Sequence, residues 1–126
     1  MKDFSSGVPL RPISRATAEH YAWGDNCDGW HLVKDEKLSV IEEQMPAGAA
    51  EVFHYHAQAQ QFFFVLSGEA VMEVGGREVR LIAREGVHIL PGACHRIRNA
   101  SNEPLQFLVV SQPPSHGDRM NLVVET

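Results

Sequence analysis

Residues 54 to 68 read "HYHAQAQQFFFVLSG": two histidines around a tyrosine, two glutamines, and an almost wholly apolar run closed by Gly68. In an extended strand, residues i and i+2 face the same way and lie roughly 6.5 Å apart along the chain. His54 and His56 therefore aim their rings into one space. If Gln61 points inward, the same parity brings Phe63 and Val65 in with it and turns Phe62 and Phe64 outward. The polar cluster is then surrounded by apolar wall.

Outward from this stretch the period of two continues. "LSVIEEQM" and "AEVFHYH" alternate as half-buried strands do, with Pro46 and Gly48 breaking between them. "EAVMEV" and "REVRLI" flank Gly75-Gly76, a two-residue connection in which both glycines can take positive φ, the signature of a tight hairpin. "GVHILPG", "CHRIRN" and "LQFLVVSQ" supply three more extended segments, and no stretch has the spacing of a long amphipathic helix. About eight short strands with regular turn signals predict an all-β fold, an antiparallel sandwich or barrel. Toward the N-terminus, Gly24, Asp25, Asn26, Asp28 and Gly29 mark a loop, and Trp23 and Trp30 are expected to pack the flanks of the core.

The chain of 126 residues fits one domain, with 44% hydrophobic residues, 21% charged residues and a formal net charge of -5. This balance does not suggest a nucleic-acid partner. No apolar run approaches the length that spans a bilayer, and the start lacks the central region of a signal peptide, so a cytoplasmic protein with no membrane partner is expected. Cys27 and Cys94 form no C-x-x-C pair, and a disulfide between them is not expected in a reducing compartment.

Imidazole is a versatile ligand for divalent transition metals, and two on one strand face can take neighbouring positions on one ion. The spacing around them is more specific. After Gly48 come five residues, then His54-x-His56, four residues, Gln61, six residues and Gly68; later come Pro91-Gly92, two residues, His95, three residues and Asn99. This order resembles the two motifs of the cupin superfamily, G-x5-H-x-H-x3,4-E-x6-G and a second motif of the P-x-G-x2-H-x3-N type. The resemblance implies an antiparallel jelly-roll barrel, or double-stranded β-helix, holding one metal ion inside. Position by position, the family's ligands fall on His54, His56, Gln61 and His95. Residues 37–112 would form the barrel, residues 1–36 an arm and loop packed on it, and residues 113–126 a C-terminal tail.

The sequence departs from the pattern in two places. Glu85-Gly86 stands where many relatives carry glycine and aspartate, and the family's glutamate is Gln61, with Gln60 as a second candidate at the shorter spacing. A glutamine amide is neutral, coordinates more weakly than a carboxylate and cannot take a proton at neutral pH. Three imidazoles and an amide leave a divalent charge uncompensated, so anionic co-ligands are expected. Such a donor set suits Fe, Ni, Mn, Co, Cu or Zn.

The resulting expectation is a metal-binding protein acting on a small, anionic molecule. An oxygenase-type enzyme comes first, an isomerase or lyase acting on a sugar or uronate second, and a non-catalytic ligand-binding barrel third. No acid or base can be named from the sequence, although the second reading requires a nearby carboxylate. The resemblance also implies that two small barrels pack sheet to sheet, so Phe62 and Phe64 on the outward parity are expected at a homodimer interface. His20, His31, His88 and His116 have no partner at ligand spacing and read as loop or surface residues. Cys94 reads as a small buried hydrophobe in the turn before His95.

Overall fold

A computed structural model describes residues 10–122. Among the described residues there are eleven strands and no helix. Eight strands fall on the runs of period two: β3 (Ser39–Met45), β4 (His54–His56), β5 (Gln60–Ser67), β6 (Ala70–Val74), β7 (Arg77–Leu81), β8 (Gly86–Ile89), β9 (His95–Arg98) and β10 (Leu105–Gln112). Three lie outside them: β1 (Glu19–Trp23), β2 (Cys27–Lys34) and β11 (Arg119–Asn121). Every pairing is antiparallel, in a six-stranded sheet of order β1-β2-β3-β10-β5-β8 and a five-stranded sheet of order β11-β4-β9-β6-β7. The chain crosses from one sheet to the other between β3 and β4, β4 and β5, and β5 and β6, as a jelly roll requires. Among the described residues no helix is long and apolar enough to cross a membrane.

The parity of β5 is as expected. Gln61, Phe63 and Val65 are buried, whereas Phe62 is exposed and Phe64 is half-buried beside it. On β10 the inward row is Leu105, Phe107, Val109 and Ser111, paired in register with β5 so that Gln61 faces Ser111, Phe63 faces Val109 and Val65 faces Phe107. Both rows thus run from apolar side chains to a polar one at the same end. Met45, Met72, Leu81, Ile89 and Ile97 complete the apolar half of the interior. Gly75 and Gly76 turn the β6–β7 hairpin with φ of 56° and 84°, which fits the mirror-image turn that matches strand twist.

Two expectations about the edges change. The segment read as an arm and loop carries β1 and β2, which extend the six-stranded sheet beside β3. Gly24 and Asn26 do form a turn, with φ of 52° and 59°, but Asp28 and Gly29 belong to β2. Their composition hides the strand because the backbone ladders to β1 and β3 hold them, without side-chain propensity. In the segment read as a tail, β11 pairs with β4 and lies against the histidines. Residues 1–9 and 123–126, parts of those two segments, lie outside the described residues. The run "AEVFHYH" is a strand only over its last three residues; before them, the Glu51 amide donates to the Ile97 carbonyl and Ala50 makes a single bridge to Arg98.

Asn99 locks the closed end of the barrel. It is 1% exposed, and its amide donates to the carbonyls of Met45 at 3.1 Å and Glu103 at 2.7 Å. Its oxygen accepts from the Ser101 amide and hydroxyl, so the side chain joins β3 to the β9–β10 loop with its hydrogen-bonding capacity filled. Removing it strands buried carbonyls. Asn99→Ala is expected to lower unfolding stability by about 3 kcal/mol in urea titration, and a loss under about 0.5 kcal/mol would show that water replaces the amide there.

Candidate metal centre

β4 and β9 pair at His54 and His95, which places their rings side by side at 4.4 Å between centroids. His56, two residues along β4, lies 5.1 Å from His54 and 5.9 Å from His95 by the same measure. One nitrogen from each ring falls within 4.8 Å of the other two, so the three side chains could hold one metal ion. All three are at least 97% buried, being 1%, 3% and 1% exposed.

The backbone orients two of the rings. His54 Nδ1 lies 2.8 Å from the Val52 carbonyl and His95 Nδ1 lies 2.9 Å from the Ala93 carbonyl. A neutral imidazole carries one N–H, and a carbonyl can only accept. The proton therefore sits on Nδ1, leaving the Nε2 lone pair toward the cluster, an arrangement common behind metal-bound histidines. Both nitrogens of His56 are buried with no hydrogen-bond partner among the described residues. Burial lowers the pKa of His54 to about 3 and pushes His56 and His95 below the usual range, with charge repulsion from Arg119 adding to the effect at all three. The rings stay neutral, the state in which they bind metals.

Gln61 reaches this cluster and Gln60 does not. The Gln61 amide nitrogen donates to the Ser111 hydroxyl at 3.0 Å, and its oxygen lies 3.1 Å from His95 Nε2. With the His95 proton on Nδ1, these last two atoms are both acceptors, and a cation between or beside them would relieve that opposition. Gln60 is exposed and bonds instead to Gln112 and His88. Asp118 fixes the turn between β4 and β5 by accepting the amides of Ala57, Gln58 and Ala59 at 3.2, 2.9 and 2.9 Å.

His54, His56 and Gln61 open into a cavity of about 640 Å³ whose wall includes Phe63, Val109 and Ile41. Among the polar groups that also line it are Tyr21, Glu43, Glu51 and Arg119. The Tyr21 hydroxyl donates to Glu43 Oε1 at 3.1 Å. Glu51 Oε1 accepts the Ile97 amide at 3.1 Å, and its Oε2 lies 3.8 Å from Arg119 Nη1. Burial, reinforced by the neighbouring Glu51, pushes the Glu43 carboxyl up to about 8; burial takes Glu51 to about 7 against the pull of the Ile97 amide and Arg119. Burial also raises the Tyr21 pKa, with Glu43 adding to it, so the phenol remains a donor.

The other histidines are as expected in part. His88 and His20 make surface contacts with Gln60 and Asp28. His31 corrects the expectation, because β2 places it in the cavity wall with Nδ1 buried and unpartnered among the described residues. His116 lies in the same wall, on the loop before β11. Cys94 is half-buried, and neither cysteine is paired.

Comparison with known proteins agrees with this architecture. The chain is 29% identical over 89 residues to an uncharacterized protein of Methanocaldococcus jannaschii, covering 70% of this chain and 71% of that one. It is 30% identical over 85 residues to an oxalate-binding protein of Thermotoga maritima, covering 64% and 70% of the two chains. The crystal structure of a predicted oxalate decarboxylase from Thermotoga maritima superposes with a TM-score of 0.76 at 21% identity, over 82% of this chain and 100% of that one. A cupin-superfamily sugar phosphate isomerase from Silicibacter pomeroyi gives a TM-score of 0.72 at 19% identity, over 82% and 76%. At these identities the structures speak to the fold alone. The cupin-domain family matches residues 41–111, which carry the paired histidine strands and most of both sheets, and the chain belongs to that family.

Proposed function

We propose that this cupin is a metal-dependent enzyme of isomerase or lyase type that acts on a small anionic molecule bound through its oxygen atoms. The ion would be a divalent transition metal (Fe, Ni, Mn, Co, Cu or Zn) held by His54, His56 and His95, with Gln61 completing or tuning its shell. When bound, it would supply Lewis acidity to hydroxyl, carbonyl or carboxylate oxygens. The observation that carries the reading is that the wall around the histidines also holds Glu43 and Glu51, buried carboxyls that titrate near neutrality.

An oxygenase needs an open metal and an anionic ligand, but it gives those carboxyls no work. Isomerisation and elimination both require a group that takes and returns a proton, which a carboxyl poised near the working pH supplies. Arg119 and the neutral donor set favour a negatively charged ligand, and Phe63, Ile41 and Val109 exclude water from it. A non-catalytic binding role is the second reading, supported by the relative described as an oxalate-binding protein.

A reducing, cytoplasmic setting belongs to the proposal, consistent with unpaired Cys27 and Cys94. So does a homodimer across the outer face of β5. Phe62 is 41% exposed there and stacks on Phe64 at 6.1 Å, with Leu66 also exposed. Sedimentation equilibrium should return twice the chain mass, falling toward one chain mass in Phe62→Glu; a monomeric parent protein contradicts this part of the reading.

Elemental analysis of freshly purified or reloaded protein should find about one equivalent of transition metal per chain, reduced at least tenfold in His56→Ala. Oxalate, a small chelating anion, should raise the melting temperature of the metal-loaded protein and leave the stripped protein unchanged. At 100 times Kd that stabilisation is about 2.7 kcal/mol. An equal shift in stripped protein would move the anion site away from the histidines, and metal content unchanged by His56→Ala would rule out the centre.

A further inference from the structure

Three neighbouring strands contribute one cross-strand row: Tyr21 on β1 pairs with Gly29 on β2, and Gly29 pairs with Glu43 on β3. A Cβ at Gly29 would overlap the Tyr21 ring. The ring therefore lies over bare backbone, and the missing side chain of the middle strand is what lets the phenol span two strands to reach Glu43. Both ends of the row open into the cavity that holds His54, His56 and Gln61.

We propose, resting on the metal-dependent reading above, that Glu43 is the proton-carrying catalytic residue of this cavity and that Tyr21, seated over Gly29, positions it. The Tyr21 hydrogen bond occupies Oε1, so the proton is carried on Oε2. Glu51 serves differently: both of its oxygens are engaged, by the Ile97 amide and by Arg119, and it acts on Glu43 as a neighbouring like charge.

The charged and titratable groups that act on Glu43 are Glu51 before β4, Tyr21 on β1 and Arg119 on β11, whereas Cys27 on β2 is itself acted on by Glu43. Burial, followed by Glu43 itself, pushes the Cys27 thiol up to about 11, so it does not compete as a base near neutrality. Burial and Glu51 raise the Glu43 carboxyl, while the Tyr21 hydroxyl and Arg119 pull it down.

The step is a proton transfer. A C–H bond beside a ligand carbonyl breaks, the proton joins Oε2 of Glu43, and the bonding electrons become the carbon–carbon double bond of the ligand's enolate. Where the carbon that loses the proton also bears a hydroxyl, the hydroxyl proton passes to the former carbonyl oxygen, the carboxyl's proton returns to the former carbonyl carbon, and the carbonyl has moved by one position. In heavy water the carboxyl exchanges with solvent and returns a deuteron, so the step can be followed without knowing the natural substrate.

The test uses the full chain loaded with zinc and pyruvate as probe, with loss of the methyl proton signal followed by NMR in heavy water. The unmutated protein should accelerate exchange over zinc in buffer. Glu43→Gln should slow it at least 100-fold, the low end for a general base, while zinc content and the oxalate-induced melting shift stay within twofold. A Glu43→Gln rate within threefold of the unmutated protein overturns the proposal.

A second readout needs neither metal nor turnover. In stripped, carboxyl-labelled protein, the Glu43 resonance should titrate well above the ordinary carboxylate range. Tyr21→Phe should move it higher, because the lost hydrogen bond favoured the charged form; Gly29→Ala should shift it the same way by displacing the ring. A Glu43 carboxyl that titrates normally, or that ignores Tyr21→Phe, overturns the proposal. If zinc and oxalate bind but the unmutated protein exchanges no protons, this inference fails alone; if neither binds, the metal-dependent reading fails with it.

Discussion

Three uncharged imidazoles buried within a few ångströms of one another are the constraint around which this barrel is organised. Burying a polar nitrogen without a partner costs free energy comparable to a lost hydrogen bond, and His56 has two such nitrogens. Carbonyls at Val52 and Ala93 satisfy one nitrogen each on His54 and His95 and turn the remaining lone pairs inward. The arrangement leaves three histidine nitrogens close enough together that they could hold one cation.

The rest of the molecule can be read as support for that cluster. The inward rows of β5 and β10 change from apolar to polar at the same register, at Gln61 and Ser111, so the barrel has a dry packed half and a polar half. Asn99 ties down the loop at the dry end, and Asp118 fixes the turn between the two strands that carry His56 and Gln61. A second polar group in the same cavity wall gathers around Glu43 and Glu51, the first bonded by the Tyr21 hydroxyl and the second by the Ile97 amide. Two kinds of titratable group, neutral imidazoles and near-neutral carboxyls, thus share one cavity with their pKa values displaced in opposite senses.

The fold and the histidines were legible because strand parity and motif spacing are local properties. His54, His56 and Gln61 lie within one quoted stretch, and His95 falls at its place in the second motif. Glu43 was harder: in "IEEQM" two adjacent glutamates face opposite ways, and choosing the inner one needs the sheet register with Phe107. Glu51 sits on a segment that is not a strand, where parity says nothing. Tyr21 and Arg119 come from edge strands whose sequences carry turn residues and charge, and Gly29 looked like punctuation. Its role, making room for a ring from the next strand, exists only once β1, β2 and β3 are aligned.

X-ray absorption spectroscopy of the protein loaded with zinc or its native metal reads the histidine cluster itself. Multiple-scattering features of three imidazoles are expected, with metal–nitrogen distances of about 2.0–2.2 Å and one or more oxygen neighbours that change when oxalate is added. A spectrum with no imidazole scattering, or with the same signal after His54 and His95 are both replaced by alanine, would contradict it.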